Sequence, residues 1–213
     1  MKDALVRVVR GFLPKGIIRG LEELYRRSRG WLVAARYGFP VKSLQVIAVT
    51  GTNGKTTTCS YINEILKADG KKTAMFSTAV IEIDGERKLN DTNATVASVA
   101  QMQAFFQKAK RANVDWVVLE VTSQSLQQHK LDDVQPVCAV MTNLTQDHLD
   151  YHKTMENYAA AKARLFQRKP RFIVLNRDDD WYDYFKQFPA AELAMTYGAN
   201  PEAECRITSV QLH

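Results

Sequence analysis

The sequence has few cysteines, no long apolar run and no repeat, and each absence removes a class of protein. Cys59, Cys138 and Cys205 are odd in number, far apart and without metal-ligand spacing. That pattern argues against a disulfide framework or a cysteine-bound metal and suits free thiols in a reducing cytoplasm. Charged residues interrupt every apolar stretch, so neither a membrane-spanning helix nor a secretory signal with a clean apolar core is encoded. No internal repeat or low-complexity tract is present.

An excess of one charge is also missing from most of the chain. The formal net charge is +6, but residues 1–44 hold Lys2, Arg7, Arg10, Lys15, Arg19, Arg26, Arg27, Arg29, Arg36 and Lys42 against only Asp3, Glu22 and Glu23. The remainder is close to neutral, so nothing in it suggests a nucleic-acid surface. This basic leader has helical apolar spacing in Leu5, Val8, Val9, Phe12 and Leu13, and again in Leu21, Leu24 and Tyr25, with Pro14 and Gly16 between. Two placements are open: on an anionic membrane surface, or, more economically, as a helical hairpin packed on the main domain with a wet basic face.

What is present describes one soluble domain of ordinary size: 213 residues, 46% hydrophobic and 24% charged. From Val46 on, strand-like runs alternate with helical stretches, which predicts an α/β fold with a mostly parallel sheet flanked by helices. Strands are expected at Val46–Thr50, Thr73–Ser77, Trp116–Val121, Val137–Leu144 and Phe172–Asn176. A small hairpin is expected around Asp84-Gly85, pairing Val80–Ile83 with Arg87–Lys88. Helices are expected at Thr56–Ala68, Val96–Ala112 and Met155–Gln167.

The chain is organised around Val46-Ile-Ala-Val-Thr-Gly-Thr-Asn-Gly-Lys-Thr-Thr-Thr58, a strand running into a glycine turn and a helix. Gly51 and Gly54 let the backbone approach an anion closely, and the helix start adds its positive end. Lys55 is placed to reach β/γ-phosphates and the Thr56 hydroxyl to ligate Mg²⁺. Val49 stands where the common phosphate loop has its first glycine, so the match is to a shorter form, Gly51-x-x-Gly54-Lys55-Thr56.

Polar residues end the other strands too. Trp116-Val-Val-Leu runs into Glu120, the Val137–Asn143 run is followed by Gln146-Asp147-His148, and Phe172–Asn176 leads to Asp178 and Asp179. Open parallel sheets bind ligands at these carboxyl ends, so one cleft is implied. Glu120 and His148 are candidate metal ligands facing the phosphates, although each alone also reads as a surface carboxylate or a satisfied loop histidine. Lys162 falls on the apolar stripe of Met155, Tyr158, Ala159, Leu165 and Phe166. Either it snorkels to the edge, or burial lowers its pKa for chemistry such as carbamate formation.

Four segments then carry a family resemblance. Thr50-Gly-Thr-Asn-Gly-Lys-Thr-Thr57, Glu120-Val-Thr-Ser-Gln-Ser-Leu126, Asn143-Leu-Thr-Gln-Asp-His-Leu-Asp-Tyr-His152 and Tyr158-Ala-Ala-Ala-Lys-Ala-Arg-Leu-Phe166 together resemble the central ATPase domain of the Mur ligases of peptidoglycan synthesis. The nearest branch is the UDP-N-acetylmuramoyl-dipeptide ligases. The resemblance implies an ATP-dependent amide ligase that joins an amino acid to a UDP-N-acetylmuramoyl-peptide through an acyl phosphate. It implies that Gly51, Thr52, Asn53, Gly54, Lys55, Thr56 and Thr57 hold ATP, with Lys55 on the phosphates. Thr56 and Glu120 would share one Mg²⁺, and His148 and a carbamylated Lys162 would serve a second, which makes Lys55, His148 and Lys162 the expected catalytic residues. Asn93, Ala94, Thr95, Thr122, Gln128 and Lys130 would meet the UDP-sugar peptide.

The chain departs from the family at Gln124, where a histidine is usual, at Lys130, where an arginine is usual, and at Val96 after the Asn-Ala-Thr turn. The expected organisation is a basic leader over residues 1–44 and the central ATP-binding domain over 45–213. That domain is expected to be truncated at its C-terminal end, with a separate chain as one possible source of a closing domain. A folylpolyglutamate-synthase-like ligase and a nucleotide-binding remnant are the alternative readings.

Overall fold

The computed structural model describes residues 14–90 and 97–209. A nine-stranded sheet runs in the order β4-β3-β2-β5-β1-β6-β7-β8-β9. Its strands are β1 (Gln45–Thr50), β2 (Thr73–Phe76), β3 (Val80–Ile83), β4 (Glu86–Leu89), β5 (Trp116–Glu120), β6 (Cys138–Met141), β7 (Phe172–Asn176), β8 (Leu193–Gly198) and β9 (Cys205–Arg206). All neighbours pair in parallel except the β2-β3-β4 edge, which is antiparallel. The hairpin turn at Asp84-Gly85 is the predicted one, with both residues at positive φ.

The helices are α1 (Lys15–Arg36), α2 (Lys55–Ala68), α3 (Val99–Arg111), α4 (Ser123–Gln127), α5 (Leu149–His152), α6 (Met155–Phe166) and α7 (Tyr182–Phe185). Helix α3 starts three residues later than the sequence suggested, because Ser98 forms a capping box: its hydroxyl accepts from Gln101 N–H while its own N–H meets the Gln101 side chain. Strands β8 and β9 and the short helices α4, α5 and α7 have no counterpart in the expected elements.

The larger core lies where α3 and α6 meet the sheet. Phe106 and Phe166 are fully buried, Phe105 packs edge-on to Phe76 at 5.2 Å between centroids, and Phe185 meets Phe166 at 5.4 Å. Helix α2 covers the other face through Cys59, beneath which lie Val49, Met75, Val118 and Val140. The cysteines are free, and burial pushes the Cys59 thiol well up and Cys138 up to about 11.

The leader corrects its expected packing. Residues 1–13, the first half of the supposed hairpin, lie outside the described residues. Helix α1 docks through Gly30, whose missing Cβ would sit 3.2 Å from the His129 carbonyl, through buried Ala34, and through Glu23, which His129 Nε2 meets at 2.9 Å and Arg164 at 3.3 Å. Leu21, Leu24 and Tyr25, expected on the packed side, are exposed.

The core account carries one stability test. Phe106→Ala removes a fully buried ring and should lower urea-denaturation stability by about 3–5 kcal/mol; a loss under about 1 kcal/mol would show that the site relaxes without a cavity.

Candidate active site

Strand β1 lies centrally, with β5 on one side and β6 on the other: strands β2 to β5 fill one side, and the connection from β5 to β6 carries the chain to the other. This is the switch point at which open α/β sheets form a crevice. Register lines up the strand ends there: Val49 is opposite Glu120 on β5 and Val140 on β6, and Thr50 is opposite Met141.

The turn after β1 is clamped from β6. Thr52 N–H donates to the Asn143 carbonyl at 2.8 Å, Asn53 N–H to Asn143 Oδ1 at 2.9 Å, and Thr142 Oγ1 to the Asn53 carbonyl at 2.7 Å. Gly51 is required here: at φ +151°, a Cβ would lie 1.8 Å from Thr142 Oγ1. Gly54, at φ +79°, turns the chain into α2.

A cleft of about 330 Å³ opens above this turn. Its walls include Gly51 through Thr57, Thr78, Glu120, Thr122, His148 and Lys162. The structure therefore brings Lys55, Thr56, Glu120, His148 and Lys162 to one cavity from positions spread over more than a hundred residues. Lys55 Nζ donates to the Thr52 carbonyl at 2.7 Å. Thr56 Oγ1 donates to Glu120 Oε2 at 2.9 Å, and Thr78 N–H reaches the same oxygen at 2.9 Å. His148 is left-handed at φ 52°, faces the edge of the Tyr158 ring at 6.2 Å, and stands 3.5 Å from the Asp147 carboxylate.

Lys162 is 1% exposed, which overturns snorkelling. Its Nζ donates to the Gly51 carbonyl at 2.6 Å and lies 4.6 Å from the Tyr158 ring centre. Burial, helped by the positive charge of Lys55 and opposed by Asp147 and Glu120, lowers its pKa to about 7. A buried lysine whose neutral form is populated near neutrality can act as a nucleophile or accept a modification.

Mg²⁺ is commonly held by one or two carboxylates with waters and substrate phosphates, and the Thr56–Glu120 pair fits that pattern. Among the described residues no group of three or more His, Cys, Asp or Glu converges as an all-protein cage would.

Other expectations fare differently. Thr122 lines the cleft and also a small neighbouring cavity that Lys130 shares. Gln128 donates to the Tyr151 hydroxyl at 3.2 Å and does not line the cleft. Asn93, Ala94, Thr95 and Val96 lie outside the described residues. The β7 end does not contribute to the cleft walls: Asp179 accepts from Leu144 N–H at 2.7 Å, and Asp178 caps Ala199 and Asn200 N–H. Sequence reasoning missed Thr78, although it too follows a strand's carboxyl end. It also missed Ser123, whose hydroxyl lies 2.9 Å from Nε2 of the buried His152.

A glycine turn, a lysine, and a hydroxyl–carboxylate pair at the switch point of a parallel sheet define the class of P-loop-type α/β domains. Within that class, the chain belongs to the Mur ligase family: the Mur ligase middle domain matches residues 49–213. A UDP-N-acetylmuramoyl-L-alanyl-D-glutamate–2,6-diaminopimelate ligase of Geobacillus kaustophilus is 40% identical over 195 residues, covering 88% of this chain and 39% of that protein. UDP-N-acetylmuramyl-tripeptide synthetase 2 of Oceanobacillus iheyensis is 36% identical, covering 85% and 38%. The chain thus spans about two-fifths of the length of these relatives.

Among solved structures, a UDP-N-acetylmuramoyl-L-alanyl-D-glutamate–2,6-diaminopimelate ligase superposes with TM-score 0.68 at 35% identity, covering 76% of this chain and 33% of its own. Escherichia coli FolC in complex with DHPP and ADP gives TM-score 0.62 at 26% identity, covering 80% and 46%.

The depressed Lys162 pKa has a stability consequence. The folded value, about 7, lies below the ordinary lysine value of about 10.4, so the unfolded chain binds the extra proton between them and stability rises with pH across that window. Lys162→Met removes this dependence. Relative to the parent, the variant should gain on the order of 4 kcal/mol as pH falls from 10 to 7 in urea titrations; a pH-independent difference would mean that the buried amine stays protonated.

Proposed function

We propose that residues 45–213 are the ATP-binding centre of a ligase of peptidoglycan precursor synthesis, one that joins an amino acid to a UDP-N-acetylmuramoyl-dipeptide. The observation that carries this reading is the shared cleft: the Thr56–Glu120 pair and the buried Lys162 amine stand on the same glycine turn. The family match and the named relatives supply the substrate class.

Gly51, Thr52, Asn53, Gly54 and Thr57 cradle the ATP phosphates with backbone N–H groups and the start of α2. Lys55 swings from the Thr52 carbonyl to the β/γ-phosphates, where it neutralises charge that builds during in-line transfer. Thr56 and Glu120 would hold one Mg²⁺, and His148 and Lys162 would serve a second; Mg²⁺ bound there would supply charge neutralisation and orientation of phosphate oxygens. Neutral Lys162 adds through Nζ to the carbon of CO₂ and releases a proton, giving a carbamate anion. Its nitrogen keeps one N–H for the Gly51 carbonyl. Asn93, Ala94, Thr95, Thr122, Gln128 and Lys130 receive the UDP-sugar peptide, one carboxylate of which attacks the γ-phosphorus, breaking its bond to the β-phosphate oxygen so that ADP leaves and an acyl phosphate forms. The amine then displaces phosphate from the acyl phosphate, and no side-chain nucleophile is needed. Lys130 offers a point charge in place of the two-pronged contact that arginine makes with an anion.

Two measurements test this reading. Calorimetric titration with Mg²⁺ and a non-hydrolysable ATP analogue should show binding that Lys55→Ala weakens at least tenfold, with unchanged melting; equal affinity would remove Lys55 from the phosphate site. ADP release by the 213-residue chain should rise when UDP-N-acetylmuramoyl-dipeptide and an amino acid are added together, and not with a folate and glutamate. Stimulation only by the folate pair would transfer the chain to the folylpolyglutamate branch. No stimulation by either pair, with nucleotide binding intact, would leave a nucleotide-binding module.

A further inference from the structure

We infer that α1 seats the protein on a membrane surface rich in anionic lipid headgroups, through an apolar stripe that stays exposed among the described residues. The inference does not depend on the ligase reading.

Ile17, Leu21, Leu24, Tyr25, Trp31 and Leu32 are each between 50% and 65% exposed. At 100° per residue they fall within one sector of the helix, with Ser28 inside it. The contacts that hold α1 to the body come from the opposite side: Gly30 on the His129 carbonyl, buried Ala34, and Glu23 on His129 and Arg164. The helix therefore docks by its small and polar side and turns its apolar side outward, the reverse of ordinary amphipathic packing.

The charge around the stripe selects the occupant. Arg27 borders it on one side, and Arg29 and Arg36 on the other; all three are exposed. Arg27 approaches Asp132 at 3.6 Å with its own side chain 65% exposed. From Lys15 to Lys42 the leader carries seven Lys/Arg against Glu22 and Glu23. An apolar stripe with tryptophan and tyrosine, edged by arginine on a 22-residue helix, has the composition of a helix lying in the plane of a lipid interface. No helix among the described residues is long and apolar enough to cross a membrane, so the contact is peripheral. Two copies of α1 facing each other would bury the stripe equally well but would bring the arginine borders together, which like-charge repulsion opposes.

The test is co-sedimentation of the 213-residue chain with vesicles of phosphatidylcholine alone or with about one-third phosphatidylglycerol. Binding is expected only to the anionic vesicles, weakened at least tenfold by 0.5 M NaCl because exposed charges are then screened. Leu24→Asp with Trp31→Asp should weaken it at least tenfold while leaving thermal melting and nucleotide affinity unchanged, and Arg29→Glu with Arg36→Glu should do the same. Equal binding to neutral vesicles, or none to either, would overturn the proposal. A concentration-dependent dimer dissociated by Leu24→Asp, without vesicle binding, would assign the stripe to a second copy instead.

Discussion

The site depends on a buried amine held 2.6 Å from a main-chain carbonyl, Lys162 Nζ on Gly51 O. The bond ties α6 to the glycine turn that walls the cleft. Its geometry requires Gly51 to lack a side chain, since the space a Cβ would take belongs to Thr142 Oγ1. It also requires the lysine to lie on the apolar stripe of α6, among Tyr158, Ala159, Leu165 and Phe166. Removing a charged ammonium from water is costly, and the chain meets that cost by letting the amine lose its proton near neutrality. The same burial that would be a defect in a structural lysine leaves, at the cleft wall, an amine whose neutral form is populated near neutrality.

The sheet supplies the rest of the geometry through register. With β1 between β5 and β6, the Val49–Glu120 and Thr50–Met141 pairings bring a carboxylate and the Asn143 clamp to the two sides of one turn. Thr56 joins the carboxylate from the first turn of α2, and Thr78 does so from the end of β2. Four segments distant in sequence thus converge because parallel strands deliver their carboxyl ends to one edge.

Much of this was legible from residues alone. The strand–turn–helix around Gly51 and Gly54 and the strand Phe172–Asn176 have local signals strong enough to place them, as does the apolar stripe bearing Lys162. Strand β8 was not legible, because Leu193, Ala194 and Met195 are exposed and give no buried pattern. Helix α4 is a single turn defined by the Thr122 cap on Ser125 N–H, too short to show periodicity. The β7 carboxylates were misjudged since a strand end shows where an acid begins, and not which loop N–H groups will claim it. Helix α1 misled for the opposite reason: its periodicity was read correctly, but its apolar side faces away from the body.

Diffraction from crystals grown with Mn²⁺ and a non-hydrolysable ATP analogue tests the central claim most directly, because manganese reports its own position by anomalous scattering. The account predicts a manganese peak coordinated by Thr56 Oγ1 and a Glu120 oxygen, with the analogue's phosphates over Gly51–Thr57 and the Lys162 nitrogen facing the same cavity. Nucleotide bound elsewhere, or a metal that touches neither Thr56 nor Glu120, would contradict it.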